Sequence, residues 1–147
     1  MMQPARPLKK TGSIEEIADR WADVIISNNV LEHVPSPLQT LCALKKKIRA
    51  GGKIVFVVTH ELKGKYKPGD INQHLYTWTR LNIGNLFHTA GFEIFEVRYL
   101  RHRWPPCYRL LWKITGRRIF NAISILYGLF IRYGNQIRIV AVKNDKV

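Results

Sequence analysis

The sequence predicts an open α/β domain, and three consecutive segments support this fold class. Residues 24–26 read Val-Ile-Ile, a β-branched run that is typical of a parallel strand buried on both faces. Leu38, Leu41 and Leu44 then recur at helical spacing, and an apolar run at residues 53–58 predicts a second strand. A strand, a helix and a strand in this order predict a right-handed crossover unit.

Capping residues indicate where the helices of this first half begin and end. Ser13 and Glu16 have the spacing of a capping box and predict a short helix before the first strand. Ser36 is expected to cap the next helix, with Pro37 at its first position. The glycines at residues 51–52 are expected to end that helix, one of them in the left-handed conformation.

The second half predicts one further helix and two further strands. Thr79 is expected to cap a helix that runs through Ala90 and stops at a glycine. Residues 92–99 alternate between apolar and polar side chains and predict a third strand near a sheet edge, and residues 136–143 predict a fourth.

An apolar and basic insertion, residues 101–133, separates the last two strands. Its uncharged run at residues 119–131 is shorter than the roughly 20 apolar residues that a membrane-spanning helix needs. Because it is apolar nearly all round, we expect a helical insertion or cap buried against the sheet with a basic rim. The alternative is a helix in a membrane interface, with its basic residues toward the head groups.

Composition bounds the class of protein. The chain has 147 residues and 46% hydrophobic content, which suits a single domain over residues 1–147. Its net charge of +14 would attract phosphate-bearing partners or anionic lipid at long range. Cys42 and Cys107 form neither a disulfide framework nor a metal-binding spacing, so a reduced, cytoplasmic compartment is expected.

Several motifs in this order resemble one enzyme family. Residues 23–34 (DVIISNNVLEHV), the helix after Pro37, residues 50–56 (AGGKIVF) and residues 72–78 (NQHLYTW) are similar to the later part of class I S-adenosylmethionine-dependent methyltransferases that act on small molecules. The resemblance implies an incomplete Rossmann-like methyltransferase sheet. Its four strands would be the family's fourth to seventh, with the last antiparallel between the fifth and the sixth.

The family's main cofactor-binding motif has no counterpart in the sequence. Upstream of Asp23 the only glycine is Gly12, and no apolar strand precedes Ser13, so the glycine-rich turn and the ribose-binding acidic residue have no place. We therefore expect a truncated domain, inactive alone or completed by its missing N-terminal half. The strand at residues 24–26 would be an open edge that favours self-association.

The resemblance and the residue chemistry together predict a site beyond the strand ends, where open α/β sheets bind ligands. For S-adenosylmethionine the candidates are Ser27, Asn28 and Asn29. For catalysis they are Glu32 and His33, because an imidazole can accept a hydroxyl proton near neutral pH. A packed histidine and ordinary turn-forming asparagines are the structural alternatives. For an acceptor of the small-molecule or glycan type, the candidates are His60, His74, Tyr76, Arg101 and Arg103. The histidine spacing matches no zinc pattern, so no metal is expected.

A different class of function remains open. The predicted methyltransferase would act by in-line displacement on the sulfonium methyl group, largely through positioning. Alternatively, the chain is a non-catalytic basic fragment that binds anionic membrane or nucleic acid. No nucleic-acid-binding motif favours the latter partner.

Overall fold

A computed structural model describes residues 12–61, 65–66, 68–69, 71–100, 104–130 and 135–144. The strands are β1 (Ala22–Asn28), β2 (Ile48–His60), β3 (Glu93–Leu100) and β4 (Asn135–Val142). The α-helices are α1 (Pro37–Lys47), α2 (Arg80–Thr89) and α3 (Tyr108–Phe130), and a 3₁₀ turn spans Leu31–His33.

The four strands form one mixed, open sheet in the order β1-β2-β4-β3. β1 and β2 are parallel, whereas β4 is antiparallel to both of its neighbours, β2 and β3. β3 therefore runs in the same direction as β1 and β2. The expected placement of the last strand, antiparallel and between the second and third strands of this chain, is confirmed.

β1 is less buried than its sequence predicts. Within the part of the chain that the structure describes, β1 pairs only with β2, and Val24 and Ile26 are 50% and 76% exposed. The expectation of a strand buried on both faces is therefore wrong for these residues. The expected open sheet edge is present, because no further described strand covers the other side of β1.

The predicted helix that begins at Ser13 does not form. Residues 12–20 make turns, and the Ser13 hydroxyl donates to the Glu15 carboxylate at 2.7 Å instead of capping a helix. One turn hydrogen bond, from the Ile17 N–H to the Ile14 carbonyl, closes at 3.2 Å. So short a segment gains too few hydrogen bonds to repay the nucleation of a helix.

The prediction that α1 ends at the double glycine is also wrong. α1 ends at Lys47, and Ile48 is already extended and opens β2. Gly51 has a left-handed φ of 68°, and a Cβ on Gly52 would lie 2.7 Å from Ile48 Cγ1 and 3.0 Å from the Asp23 carbonyl oxygen. The glycines thus permit a tight turn of the backbone within β2 and its close approach to β1.

α2 begins where the sequence predicts and ends at Thr89, one residue before the predicted end. The Thr79 hydroxyl accepts from the Asn82 N–H at 3.2 Å, and the Asn82 carboxamide oxygen accepts from the Thr79 N–H at 2.6 Å. This reciprocal cap satisfies two backbone donors. Phe87 of α2 packs edge to face on Phe56 of β2 at 5.4 Å between centroids, so the helix covers the centre of the sheet.

α3 is helical as predicted but is not the buried insertion that we expected. Gly116, with φ of 68° and ψ of 175°, breaks it into two helical segments. Within α3 only Phe120, Ser124 and Gly128 are buried, and these three form one stripe at a spacing of four residues. Its exposed large apolar side chains are Leu110, Trp112, Ile114, Ile119, Ile125, Leu126, Leu129 and Phe130.

Candidate functional site

The predicted site residues lie at the carboxyl edge of the parallel strands. Asn28, the last residue of β1, is paired with Val57, close to the end of β2 at His60. β3 ends at the same edge, since Leu100 is paired with Gln136, one residue after the start of β4. The carboxyl ends of parallel strands leave backbone groups and loop side chains free to form a ligand site.

Asn29 anchors the turn that leaves β1. It has a left-handed φ of 51°, a conformation that asparagine tolerates better than most residues. Its N–H donates to the Val57 carbonyl at 2.8 Å, and its side-chain oxygen accepts from Nε2 of Gln136 at 3.1 Å. The turn is thereby tied to both β2 and β4.

The 3₁₀ turn after Asn29 places its two polar residues in opposite environments. Glu32 is wholly buried, and neither of its carboxylate oxygens has a hydrogen-bond partner. His33 is exposed. An uncompensated carboxylate in such a position costs several kcal/mol if it is ionised, so the buried Glu32 side chain lacks the partner that its charge would need.

Residues 74–78 are fastened beside this turn by backbone and side-chain contacts. The N–H groups of Leu75 and Tyr76 both donate to the Glu32 carbonyl, at 2.8 and 3.3 Å. The Tyr76 hydroxyl donates to the Pro35 carbonyl at 2.9 Å, and its ring stacks on Trp78. Two segments that are distant in sequence therefore form one unit.

This unit brings His74 against His33. Their ring centroids are 4.9 Å apart in an edge-on arrangement. Nδ1 of His74 lies 2.9 Å from Oε1 of Glu61, and since a carboxylate only accepts, the ring donates its Nδ1–H. This contact fixes the ring orientation, and Nε2 is the ring nitrogen that does not contact Glu61.

His60 is at the same sheet edge but in a packed position. It is buried, its Nδ1–H donates to the Trp78 carbonyl, and its ring lies 5.0 Å from that of Tyr99. Arg80 covers the Tyr99 ring at 4.9 Å. These contacts give His60 a structural role at the border of the site.

The structure therefore brings part of the predicted site together. Glu32, His33, His74 and Tyr76 are contiguous, and Ser27, Asn28 and Asn29 precede them on β1 and its turn. Arg101 and Arg103 lie outside the described residues. Sequence reasoning missed Gln136, since a polar residue near the start of a strand gives no signal of a contact with Asn29.

A separate groove lies along α3. Its volume is about 670 Å³, and it is lined from both sides of the break at Gly116 by Trp104, Tyr108, Arg109, Trp112, Lys113, Arg117, Phe120 and Asn121. Trp112 packs edge to face on Phe120 at 5.2 Å across the break.

In the described part of the chain, no helix has the length and apolar character needed to cross a membrane.

The sheet order and the ligand edge define a Rossmann-like fold of the kind found in S-adenosylmethionine-dependent methyltransferases. A family model described as "Methyltransferase domain" matches residues 6–97, and the chain belongs to this family. A search of curated proteins finds no match.

Solved structures share this fold at low sequence identity. Phosphoethanolamine N-methyltransferase 2 of Haemonchus contortus, in complex with phosphomonomethylethanolamine and S-adenosylhomocysteine, is 13% identical with a TM-score of 0.58, and the match covers 88% of this chain and 35% of that one. The 1,6-didemethyltoxoflavin-N1-methyltransferase of Burkholderia thailandensis is 17% identical with a TM-score of 0.54, over 90% of this chain and 48% of that one.

The fold alone does not define the reaction. The [4+2]-cyclase SpnF is also similar, at 14% identity and a TM-score of 0.56, over 88% of this chain and 53% of that one. This chain spans between about a third and a half of the length of these three relatives. The function of this chain therefore depends on its own site residues.

Proposed function

We propose that this chain forms one side of the active site of an S-adenosylmethionine-dependent methyltransferase for a small-molecule or glycan-type acceptor. The observation that carries the proposal is the contiguous polar cluster beyond β1, in which exposed His33 lies against His74 at the ligand edge of the sheet. A methyltransferase needs a methyl donor and an acceptor nucleophile to meet at such an edge.

Ser27 and Asn28 are the candidates for holding the donor. Ser27 is half-buried and Asn28 is exposed at the end of β1, so a hydroxyl and a carboxamide are available to the polar amino-acid end of the cofactor. Asn29 is less available, because its side-chain oxygen accepts from Gln136. When bound, S-adenosylmethionine supplies an electrophilic methyl group on a sulfonium.

His33 is the candidate general base. It is exposed on the 3₁₀ turn that follows the cofactor candidates in the chain and can accept the proton of an acceptor hydroxyl through a ring nitrogen. Glu32 is wholly buried, so its side chain is poorly placed to touch the acceptor. Its backbone carbonyl accepts from the N–H groups of Leu75 and Tyr76, so the residue positions this turn. An acceptor that loses no proton during transfer would not need the base.

The acceptor would lie against the segment that carries His74 and Tyr76. Tyr76 is exposed and His74 is half-buried, so the Tyr76 ring and hydroxyl and the accessible part of the His74 ring can contact a polar, hydroxyl-bearing molecule. His60 would limit the pocket from behind. Arg101 and Arg103 follow β3 directly in sequence, so we keep them as candidates for an anionic or phosphate-linked acceptor.

The open edge of β1 is proposed as the place where the rest of the cofactor site is added. Val24 and Ile26 are β-branched and exposed on a strand that, among the described residues, pairs on one side only, which favours pairing with a further strand. The occupant that we propose is the glycine-bearing N-terminal half of such a domain. In its absence, a second copy of this chain would compete for the same edge.

Calorimetric titration with S-adenosylmethionine and S-adenosylhomocysteine tests the proposal. We expect saturable but weak binding of both molecules to the purified chain, because the proposed site is complete only when a further strand pairs with β1. Asn28→Ala should weaken it, whereas Asn85→Ala, at an exposed position of α2, should not. Absence of saturable binding, or an equal effect of the two substitutions, would contradict the proposed cofactor site.

The exposed face of α3 favours a second role, attachment to an anionic membrane surface from the cytoplasmic side. Between Val97 and Asn144 the sequence contains no Asp or Glu, and the groove combines three basic side chains with Trp104, Tyr108, Trp112 and Phe120. Aromatic rings suit the head-group region, and cations suit anionic lipid.

This composition favours a membrane over nucleic acid as the partner. The aliphatic residues that α3 exposes, such as Ile114, Leu126 and Leu129, gain from transfer into lipid but have no role in phosphate pairing or base stacking. Flotation with phosphatidylserine-containing vesicles and with pure phosphatidylcholine vesicles tests it. We expect binding to the former, and binding to neither would contradict the membrane role.

A further inference from the structure

Three side chains with metal-binding chemistry meet at the turn after β1. One carboxylate oxygen of Glu32 and one ring nitrogen each of His33 and His74 lie within 4.8 Å of one another. Glu32 and His33 are adjacent in sequence, but His74 is far from both, so no spacing in the sequence signals the cluster. Two imidazoles and one carboxylate form a ligand set that suits several divalent transition metals.

The Glu32 carboxylate supplies an independent reason to expect a cation. Its side chain is 0% exposed, and neither oxygen has a hydrogen-bond partner. A buried carboxylate is normally paired, hydrogen-bonded or bound to a metal, because its desolvation otherwise costs several kcal/mol. The histidines are the side chains beside it that could complete a metal site.

His74 is held in the way that metal-ligating histidines usually are. Its Nδ1–H donates to Glu61 at 2.9 Å, which leaves Nε2 as the nitrogen available to a metal. Outer carboxylates of this kind fix the tautomer and the ring orientation of a ligand. Backbone hydrogen bonds from Leu75 and Tyr76 to the Glu32 carbonyl hold His74 beside the turn before any metal arrives.

We propose that Glu32, His33 and His74 bind one divalent first-row transition metal ion, with Glu61 as a positioning residue. Metal–ligand bonds of about 2.0–2.2 Å put neighbouring ligand atoms about 3.4 Å apart in a tetrahedral site, so the cluster must contract. Exposed His33 can supply that movement by side-chain rotation. With three protein ligands, at least one position would stay open for water or another oxygen ligand.

Metal binding and the base role of His33 compete for that residue. A ring nitrogen that ligates a metal cannot accept a proton from an acceptor hydroxyl. The proposed metal site does not depend on methyl transfer, because it rests on the three ligands and the unpaired carboxylate alone. Its test therefore measures metal binding and not enzyme activity.

Cobalt and zinc titrations of the chelator-treated full chain test this site. We expect one equivalent of Co²⁺ to give visible d–d absorption, which Zn²⁺ then removes by displacement. His74→Ala and His33→Ala should each weaken Zn²⁺ binding at least tenfold, whereas His88→Ala, at an exposed position of α2, should not. Glu61→Gln should weaken binding about 10- to 100-fold, as loss of an outer carboxylate does.

The outcomes separate the proposal from non-specific binding. Glu32→Gln tests the buried ligand directly, and if that variant does not fold, the two histidine variants decide. Zn²⁺ binding that persists unchanged in both histidine variants would overturn the site, as would equal losses in His88→Ala. Failure of S-adenosylmethionine binding alone would leave this result intact, so the two proposals fail separately.

Discussion

The imidazole of His74 packs edge-on against that of His33 with 4.9 Å between ring centroids. His33 ends the 3₁₀ turn that follows β1, whereas His74 comes from the irregular segment between β2 and α2. The contact is held by hydrogen bonds from Leu75 and Tyr76 to the Glu32 carbonyl and by the Tyr76 hydroxyl on Pro35. The ligand edge of the sheet therefore carries a preformed histidine pair.

Removal of the His33 imidazole should slow methyl transfer without affecting the binding of S-adenosylmethionine. For a hydroxyl acceptor we expect His33→Ala to lower the rate about 10²- to 10⁴-fold, the usual contribution of a general base. The measurement is conversion of S-adenosylmethionine to S-adenosylhomocysteine by the chain together with the glycine-bearing half that we propose completes the site, with a protein-free small-molecule extract as the source of acceptors. Donor binding by calorimetry should be unchanged, and His88→Ala should keep the full rate. An undiminished rate in His33→Ala would exclude this residue as the base.

Alanine at the two adjacent glycines should destabilise the fold by different mechanisms. A Cβ on Gly52 would approach Ile48 Cγ1 to 2.7 Å and the Arg49 carbonyl oxygen to 2.9 Å, so we expect Gly52→Ala to cost about 1–3 kcal/mol. Gly51→Ala meets open space and should cost only about 1 kcal/mol, for its left-handed φ. Urea denaturation of both variants measures the difference. A Gly52→Ala protein as stable as the original would contradict the tight packing of Gly52 against Ile48 and Arg49 within β2.

A charge on the open edge of β1 should reduce self-association. We expect the isolated chain to form oligomers through this edge and Ile26→Lys to shift it toward monomer, because a buried strand pairing would desolvate the ammonium group. Leu81→Lys is the matched control, since Leu81 is 73% exposed on α2 and Ile26 is 76% exposed. Sedimentation velocity measures the distribution of species. A monomeric parent chain would remove the basis for this edge as a docking site.

Charge reversal on α3 should weaken binding to anionic vesicles. Two basic residues near a membrane surface contribute about 2 kcal/mol, so Arg117→Glu with Arg118→Glu should lower the affinity by about 30-fold or more. Lys46→Glu with Lys65→Glu changes the net charge equally at exposed positions outside α3. Vesicle sedimentation at one fixed salt concentration compares the pairs. Equal losses in both would show that overall charge, not α3, governs binding.

The two tryptophans of the groove provide a separate comparison between membrane and nucleic acid. Trp104→Ser with Trp112→Ser should reduce vesicle binding while heparin binding persists through the unchanged cations. Loss of heparin binding to the same extent would favour a polyanion partner that stacks on these rings.

Asp19 should contribute to the pH dependence of stability in acid. The Lys47 ammonium donates to its carboxylate at 2.8 Å, and this hydrogen bond lowers the pKa of Asp19 below its usual 3.8. A lowered folded-state pKa means stabilisation that is present above the unfolded value and lost as the pH falls through the folded one. Asp19→Asn should therefore flatten the dependence of the unfolding midpoint on pH below about 4. Lys47→Met should have the same effect, and combining the two should add nothing further.

Local pattern was sufficient for most of the secondary structure. The apolar run at residues 53–58, the Thr79 cap and the alternation after Phe92 predicted the core of β2, the whole of α2 and, within one residue, the bounds of β3. The failures are also local: Ser13 binds the Glu15 side chain, and the double glycine shapes a strand instead of a helix end. A capping motif predicts a helix only where enough following residues can extend it.

The sequence by itself determined the order of elements, the family resemblance and the polar residues that follow the strands. Only the tertiary structure decided that Glu32 is buried without a partner, that His74 joins His33, and that β1 and α3 expose their apolar side chains. The physical reason is that periodicity records which side chains are apolar, whereas burial and ligand geometry depend on which segments pack together. Residues far apart in the chain become neighbours through backbone hydrogen bonds that no spacing rule encodes.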